Sequence, residues 1–216
     1  VLPRCHFLHF GTLSQLIDSG NELMLREDGI CASPRCLSIN NDFSEKGSIS
    51  GVNAWIEGCH IQNQISLGGN NIITGTDITE DLNIPPRMCL DVLSGKNRID
   101  QKGWFVRCYG IFDQFNLPID ANPLFCDQPL DSWLQKMDCQ KIDIINEKAR
   151  PNHFTLWHAR LFPFISKHDD YRNWLWLLDK KPCSQEEIKQ WKQQDRYSLA
   201  EIAVLSSQDD FCLLYT

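Results

Sequence analysis

The sequence lacks the long apolar runs that cross a bilayer, because its longest hydrophobic stretches fall far short of the roughly 18 residues needed. It also lacks an excess of basic residues: 21 Lys and Arg stand against 28 Asp and Glu, for a formal net charge of −7. Proteins that bind nucleic acids through their phosphates usually carry a basic face or stripe. The sequence therefore predicts a protein with neither a membrane nor a nucleic acid as its partner.

Several catalytic and binding motifs are also missing. The chain contains no GxxxxGK[ST] phosphate loop, no GxGxxG loop and no GxSxG nucleophile turn. It contains no CxxC pair either, so a structural zinc site is unsupported. The segment thus has no phosphate-binding loop visible in its sequence.

Ten cysteines are scattered along the chain rather than paired in a short framework. With 7 Trp and 11 Phe the sequence can build an ordinary apolar core without disulfides. This favours reduced, mostly buried thiols and a cytoplasmic protein. The first residue is Val1 and no leader peptide follows, so we expect the chain to be a segment of a longer protein.

Against these absences stands a ladder of apolar residues at six-residue spacing. A helix repeats near 3.6 residues and a strand every 2, so neither period explains the spacing. A left-handed-type parallel β-helix does, because three hexads close one coil and each apolar side chain stacks inside it. The alternative is a run of antiparallel strands with coincidental spacing. The seven rungs are Leu37, Phe43, Ile49, Trp55, Ile61, Leu67 and Ile73.

The pattern changes along the chain and predicts three parts. Residues 1–20 are predicted to end one domain and enter the coil, with a short helix from Leu13 to Ile17. Residues 21–125 form the β-helix-like domain, whose regular part ends near Pro85-Pro86. It continues as strands over 88–93 and 103–109 around a turn at 94–97.

Residues 126–216 are predicted to form a small helical subdomain. Helices are indicated over 131–137 and over 171–179, the latter apolar nearly all round and therefore buried. Ser184 with Glu187 and Ser198 with Glu201 are two capping boxes, which predict helices over 185–195 and 199–207. The predicted fold class is mostly β with an α-helical tail.

Polar residues cluster within residues 105–113. Alternation along a strand places Arg107 and Tyr109 on one face, where Arg107 offers its planar fork to an anion or a sugar. A second interpretation pairs Arg107 with Asp113 at the rim of the coil. Arg160 lies among aromatic residues, where it binds a ligand, stacks on Trp157 or caps a backbone carbonyl.

Six stretches of the chain, in order and at comparable spacing, resemble the pyrophosphorylase-like region of the L-fucokinase/GDP-fucose pyrophosphorylase family. They span nearly the whole chain and are specific by their order. These stretches are Phe7-Leu8-His9-Phe10-Gly11-Thr12, Ala54-Trp55-Ile56-Glu57, Asn71-Ile72-Ile73-Thr74-Gly75, Cys89-Leu90-Asp91-Val92, Lys102-Gly103-Trp104-Phe105-Val106-Arg107 with Tyr109-Gly110, and Leu156-Trp157-His158-Ala159-Arg160-Leu161-Phe162-Pro163.

The resemblance implies an N-terminal nucleotidyltransferase domain followed by a β-helix and helices, with a sugar-kinase domain in bifunctional members. The implied reactions are fucose 1-phosphate with GTP to give GDP-fucose and pyrophosphate, and L-fucose with ATP to give fucose 1-phosphate. Mg²⁺ is the implied cofactor, bound mainly outside this segment. The glycine-rich nucleotide loop and the kinase phosphate loop have no match here, so we expect the segment alone to be inactive and to act as a scaffold and sugar-pocket wall.

One position departs from sugar nucleotidyltransferases at large. Their Asp-x-Gly-Thr strand end places the Asp near Mg²⁺, whereas this chain has His9-Phe10-Gly11-Thr12. Imidazole is a poor Mg²⁺ ligand, so we expect His9 to bind a substrate phosphate or sugar oxygen, with Thr12 beside it.

Three other readings stay open. In the first, the parent protein is a fucokinase whose pyrophosphorylase-like region transfers no nucleotide. In the second, the coil is an interaction module used for homo-oligomerisation. The third is a hexapeptide acyltransferase that uses His60 at a coil edge.

Overall fold

The computed structural model describes residues 12–27, 36–145 and 154–207. Short parallel strands wind into a solenoid of about three turns, and a helical part follows it. The predicted parallel β-helix with a helical tail is therefore confirmed. The predicted domain boundaries at residues 20 and 125 stay predictions.

Nine short strands and one long one build three sheets of the solenoid. Sheet A contains β1, β4, β7 and β10 in parallel, sheet B contains β2, β5 and β8, and sheet C contains β3, β6 and β9. The strands are β1 (Cys36–Ile39), β2 (Asp42–Phe43), β3 (Ser48–Ser50), β4 (Ala54–Glu57), β5 (His60–Ile61), β6 (Gln64–Leu67), β7 (Asn71–Thr74), β8 (Asp77–Ile78), β9 (Leu82–Ile84) and β10 (Met88–Lys96).

Buried aliphatic residues stack in columns inside the solenoid. In sheet A, Ile56 pairs with Ile73 and Ile73 with Leu90, and all three are 0% exposed. In sheet B, Ile61 pairs with Ile78, and both are also fully buried. Burying each such side chain contributes roughly 1.5–3 kcal/mol of transfer free energy, so the columns hold the coils together.

The six-residue ladder is wrong by one residue at Leu37 and Trp55. These two side chains pair with each other on the outer face of sheet A, while Ala54 and Ile56 point inward. A shift of one residue turns a strand side chain to the opposite face. Phe43 and Ile49 do lie in the inward columns, opposite Ile61 and Ile65, but in the first described coil. Phe43 is accordingly 44% exposed.

Sheet A changes from parallel to antiparallel after β10. The strands β11 (Lys102–Gly110), β14 (Phe162–Ile165) and β15 (Arg196–Tyr197) are added in that order, each antiparallel to its neighbour. The turn predicted at 94–97 is wrong, because β10 continues to Lys96 and the turn begins at Asn97. A small hairpin, β12 (Leu124–Phe125) and β13 (Gln128–Pro129), lies beside β11.

The first helix, α1 (Leu13–Glu27), packs against the outer face of sheet A. Thr12 caps it, because the Gln15 N–H donates to Thr12 Oγ1 at 3.3 Å. The predicted end at Ile17 is wrong, since the helix runs through Gly20 to Glu27. A Cβ at Gly20 would lie 2.6 Å from Leu37 Cδ1, so this glycine allows the close approach of helix and sheet.

The helical part contains the predicted helices with small shifts of their ends. They are α2 (Leu130–Lys136), α3 (Gln185–Gln193) and α4 (Leu199–Leu205), together with a 3₁₀ helix over His168–Leu178. Both capping boxes form as predicted, at Ser184 with Glu187 and at Ser198 with Glu201. Shorter 3₁₀ turns cover Ile119–Ala121, Lys141–Ile144 and Leu156–His158.

In the part of the chain that the structure describes, no helix combines the length and apolarity that a bilayer crossing requires. The described cysteines are all free thiols, and four of them, Cys59, Cys89, Cys108 and Cys126, are buried.

Candidate functional site

A pocket of about 830 Å³ lies against the outer face of sheet A. Helix α1 supplies Leu13 and Leu16 on one side, and Ser206 and Ser207 after α4 supply another. The remaining described lining residues are Gly58, Ile72, Thr74, Gly75, Asp77, Asp91, Val92, Leu93, Ser94, Trp104, Arg107, Tyr109 and His168. This volume falls within the range of small-molecule sites in proteins.

A row of three polar side chains crosses the pocket on neighbouring strands. Register places Thr74 of β7 beside Asp91 of β10, and Asp91 opposite Arg107 of β11. Thr74 Oγ1 donates to Asp91 Oδ1 at 2.9 Å, and the Arg107 guanidinium lies 3.4 Å from Asp91 Oδ2. The Asp91 side chain is only 6% exposed, so its charge is balanced mainly by Arg107.

The hydrogen-bonding capacity of Arg107 is incompletely used. Its Nε is buried and has no hydrogen-bond partner, and the 3.4 Å contact with Asp91 is long for a charge-assisted bond. The guanidinium also lies 5.3 Å from the centre of the Tyr109 ring. Because a guanidinium carries five N–H donors, this residue retains donors for a ligand in the pocket.

Tyr109 completes the polar base of the pocket. Its pKa is raised well above the ordinary value, first by burial and then by the Asp91 carboxylate. The phenol therefore stays protonated at neutral pH and can donate its O–H. The prediction that Arg107 and Tyr109 share one face of a strand is confirmed, since both line the pocket.

Asp91, Trp104 and His168 also line the pocket, and reasoning from the sequence missed all three. Asp91 had a visible signal, because a carboxylate within the apolar run Met88–Leu93 is uncommon unless it is paired or functional. His168 gave no such signal, since only the fold brings it from the helical part to Trp104, where the two ring centres lie 5.8 Å apart.

Asp113 and Arg160, two other predicted site residues, do not line this pocket. The Asp113 carboxylate accepts hydrogen bonds from the backbone N–H groups of Gly110, Cys126 and Asp127. It therefore holds a turn together and does not pair with Arg107. Arg160 makes a two-pronged ion pair with Glu201 of α4, with Nη2 at 2.6 Å from Oε1.

Three further candidates lie elsewhere. Thr12 is exposed and acts as the cap of α1, one residue before Leu13 of the pocket wall. His9 lies outside the described residues. His60 stands on β5, about half exposed, with Nδ1 at 3.4 Å from Asp42 Oδ2.

In the described ranges 12–27, 36–145 and 154–207, no group of three His, Cys, Asp or Glu side chains is arranged so that it could hold a metal ion. In the pocket, the oxygens of Asp91 already contact Thr74 and Arg107, and a cation beside a guanidinium would be repelled. The residues of this pocket therefore do not fit the Mg²⁺ ion that the resemblance implies.

One of the comparisons with known proteins gives a match. A family model described as the Fucose pyrophosphorylase domain matches residues 1–167, which covers α1, the solenoid and strand β14. No curated protein and no solved structure gives a significant match.

Proposed function

Because this chain belongs to the fucose pyrophosphorylase family, we propose that it serves a guanylyltransferase that joins fucose 1-phosphate to GTP and releases pyrophosphate. Family membership supports a nucleotidyltransferase-type enzyme of fucose salvage. In the proposed role, the solenoid and its helical tail form the wall of the pocket that takes the sugar 1-phosphate.

The partly buried guanidinium of Arg107, whose Nε has no hydrogen-bond partner, is the observation that carries this proposal. A phosphate or sugar hydroxyl near it would complete the hydrogen bonds that Asp91 leaves unmade. Arg is suited to the phosphate because its parallel N–H groups match two phosphate oxygens. A second polar group, the protonated hydroxyl of Tyr109, lies in the same pocket.

The mixture of hydroxyl groups and apolar side chains in the lining fits the sugar itself. Ser206 and Ser207 carry hydroxyl groups that can bond to sugar hydroxyls. Leu13, Leu16 and Trp104 supply apolar surface in the same pocket. A deoxy sugar presents both hydroxyls and an apolar methyl group. The mixed lining therefore suits fucose 1-phosphate better than it suits a bare anion.

The reaction would place the sugar phosphate for in-line attack on the α-phosphorus of GTP. A new bond forms between a phosphate oxygen of the sugar and that phosphorus, while the bond to the bridging oxygen breaks and pyrophosphate leaves. Arg107 contributes by holding the attacking phosphate in position and balancing its charge. We propose that the nucleotide and Mg²⁺ are bound by parts of the full-length protein outside this chain, because the sequence contains no phosphate loop.

The position of α1 supports a contribution from His9. Leu13 lines the pocket, and four residues of extended chain span at most about 14 Å. A contact between His9 and a substrate oxygen is compatible with that span and stays a proposal.

The test is kinetic and uses the full-length protein with Arg107→Gln. We expect the KM for fucose 1-phosphate to rise roughly tenfold to a hundredfold, because a hydrogen bond to a charged group contributes about 1.5–3 kcal/mol. The KM for GTP should change little. Pyrophosphate release at varied concentrations of each substrate measures both constants.

Arg172→Gln is the matched control. Its side chain is 20% exposed, close to the 22% of Arg107, and it contacts Glu80 and Thr79 away from the pocket. Equal effects of the two substitutions would contradict the proposal. If the full-length protein released ADP from L-fucose and ATP but no pyrophosphate, the region would instead be the retained scaffold of a kinase.

A further inference from the structure

His168 places an imidazole in the same pocket as Arg107 and Tyr109. It is the first residue of the 3₁₀ helix His168–Leu178. The imidazole is 16% exposed and is held by aromatic neighbours, with its ring centre 5.8 Å from that of Trp104 and 5.6 Å from that of Tyr171. Both contacts are edge-to-face, which fixes the plane of the imidazole. The ring is thus positioned before any ligand arrives.

The Nδ1 atom of His168 is buried and has no hydrogen-bond partner. It lies 3.9 Å from Asp77 Oδ2 and 3.6 Å from Asp169 Oδ1, and both distances are too long for a direct hydrogen bond. They are short enough for one added oxygen to contact Nδ1 and a carboxylate together, at about 2.8 Å from each. Asp77 lines the pocket as well.

We propose that His168 and Asp77 form a specificity-determining pair that binds a hydroxyl group of the sugar. The hydroxyl donates its one proton to the Asp77 carboxylate and accepts a hydrogen bond from the Nδ1–H of the imidazole. This proposal rests on the proposed function, because it takes the pocket to be the sugar 1-phosphate site. In this arrangement Arg107 binds the phosphate of the sugar 1-phosphate, and His168 binds one hydroxyl group of its ring.

The chemistry favours a sugar hydroxyl over a second phosphate at this position. Asp77 and Asp169 place two carboxylates beside the imidazole, and a phosphate there would be repelled by both. A neutral hydroxyl is compatible with either charge state of the imidazole. Trp104 adds an aromatic surface next to the pair, which suits the C–H face of a pyranose ring.

The test compares His168→Phe with His168→Asn in the full-length protein. Phenylalanine keeps the edge-to-face contacts with Trp104 and Tyr171 and removes the polar atom, whereas asparagine keeps a polar group near Nδ1. We expect His168→Phe to lower kcat/KM for fucose 1-phosphate roughly tenfold to a hundredfold, since an unpaired buried polar partner costs about 1–3 kcal/mol. His168→Asn should restore most of this loss, and the KM for GTP should stay unchanged in both variants.

A sugar 1-phosphate that lacks one ring hydroxyl sharpens the readout. The protein with His168 should discriminate against the analogue that lacks the bound hydroxyl, and His168→Phe should lose that discrimination. The matched control is His158→Phe, because His158 hydrogen-bonds Thr155 at 3.0 Å and does not line the pocket. It should leave both kinetic constants unchanged.

The outcomes separate the two proposals. Loss with Arg107→Gln and with His168→Phe supports both. Loss with Arg107→Gln alone overturns the role of His168 and leaves the sugar 1-phosphate site standing. No effect of either substitution overturns both, and unchanged discrimination among analogues in His168→Phe overturns the role of His168 as well.

Discussion

The two faces of sheet A are built from the same strands, yet they differ in chemistry. Ile56, Ile73 and Leu90 stack on the inner face and are fully buried by one another and by the opposite sheets. The outer face carries Thr74, Asp91 and Arg107 in neighbouring positions, with hydrogen-bonding capacity to spare at Arg107. The three inner side chains are apolar and fully buried, whereas the Nε of Arg107 on the outer face has no hydrogen-bond partner.

This difference shows how a regular scaffold can carry an irregular site. Stacking fixes the spacing of the strands, because each inner side chain fits between those of the coils above and below. On the outer face, Thr74, Asp91 and Arg107 are then positioned by the same backbone and lie outside that stacking. A polar row can therefore be selected for binding at small cost to the fold.

The largest effect is expected from cutting a side chain on the inner face. Ile73→Ala should lower the free energy of unfolding by about 2–5 kcal/mol, because it leaves a cavity in a fully buried column. Thr74, one residue further along, lies on the outer face. Thr74→Ser keeps the hydroxyl that binds Asp91, so it should change the free energy of unfolding by less than about 0.5 kcal/mol. Urea denaturation followed by tryptophan fluorescence measures both. Equal losses would break the comparison between the two faces.

The second effect concerns the two buried carboxylates, Asp91 and Asp113. Asp91 faces a guanidinium, whereas Asp113 has only backbone N–H partners, and burial raises its pKa from 3.8 to about 7 despite them. Between about pH 4 and pH 7 the Asp113 carboxyl is therefore ionised in the unfolded chain and still protonated in the folded one. We expect the free energy of unfolding to fall over that range by at most about 1.4 kcal/mol per pH unit and to level off above it.

Asp113→Asn should remove that part of the pH dependence, measured by denaturation at several pH values. Asp120→Asn is the control, because the Asp120 side chain is 91% exposed and should leave the slope unchanged. A wild-type free energy of unfolding that rose from pH 4 to pH 7, with Asp113→Asn rising less, would contradict the raised pKa.

The smallest effect is expected at Phe43, which lies in an inward column of the first described coil and is 44% exposed. Phe43→Ser should cost about 1 kcal/mol or less, well below Ile73→Ala, because little of its surface is removed from water. The same denaturation measurement compares the two. A cost as large as that of Ile73→Ala would mean that column position alone decides stability.

The sequence pattern predicted the solenoid because inward residues recur at nearly constant spacing. It misplaced Leu37 and Trp55 because the inward positions of sheets A and B are five residues apart, as between Ile56 and Ile61, and because the coils advance by 16 to 18 residues, as in the pairs Ser48–Gln64 and Ala54–Asn71. A strict period of six cannot absorb such a step. The capping boxes of α3 and α4 were predictable because their hydrogen bonds are local.

Local sequence patterns also predict part of the candidate site. Strand alternation places Arg107 and Tyr109 together, which needs only the local backbone. Asp91, Trp104 and His168 join them through the β10–β11 pairing and through contacts between β11 and the 3₁₀ helix, across more than 60 residues of chain from Trp104 to His168. Only tertiary packing supplies such neighbours.

A crystal structure of the full-length protein with fucose 1-phosphate would show directly whether the outer face of sheet A holds the sugar 1-phosphate. We expect density in the pocket, with the phosphate within hydrogen-bond distance of Arg107 and a ring hydroxyl at His168 and Asp77. Fucose 1-phosphate bound elsewhere, with this pocket empty, would contradict it.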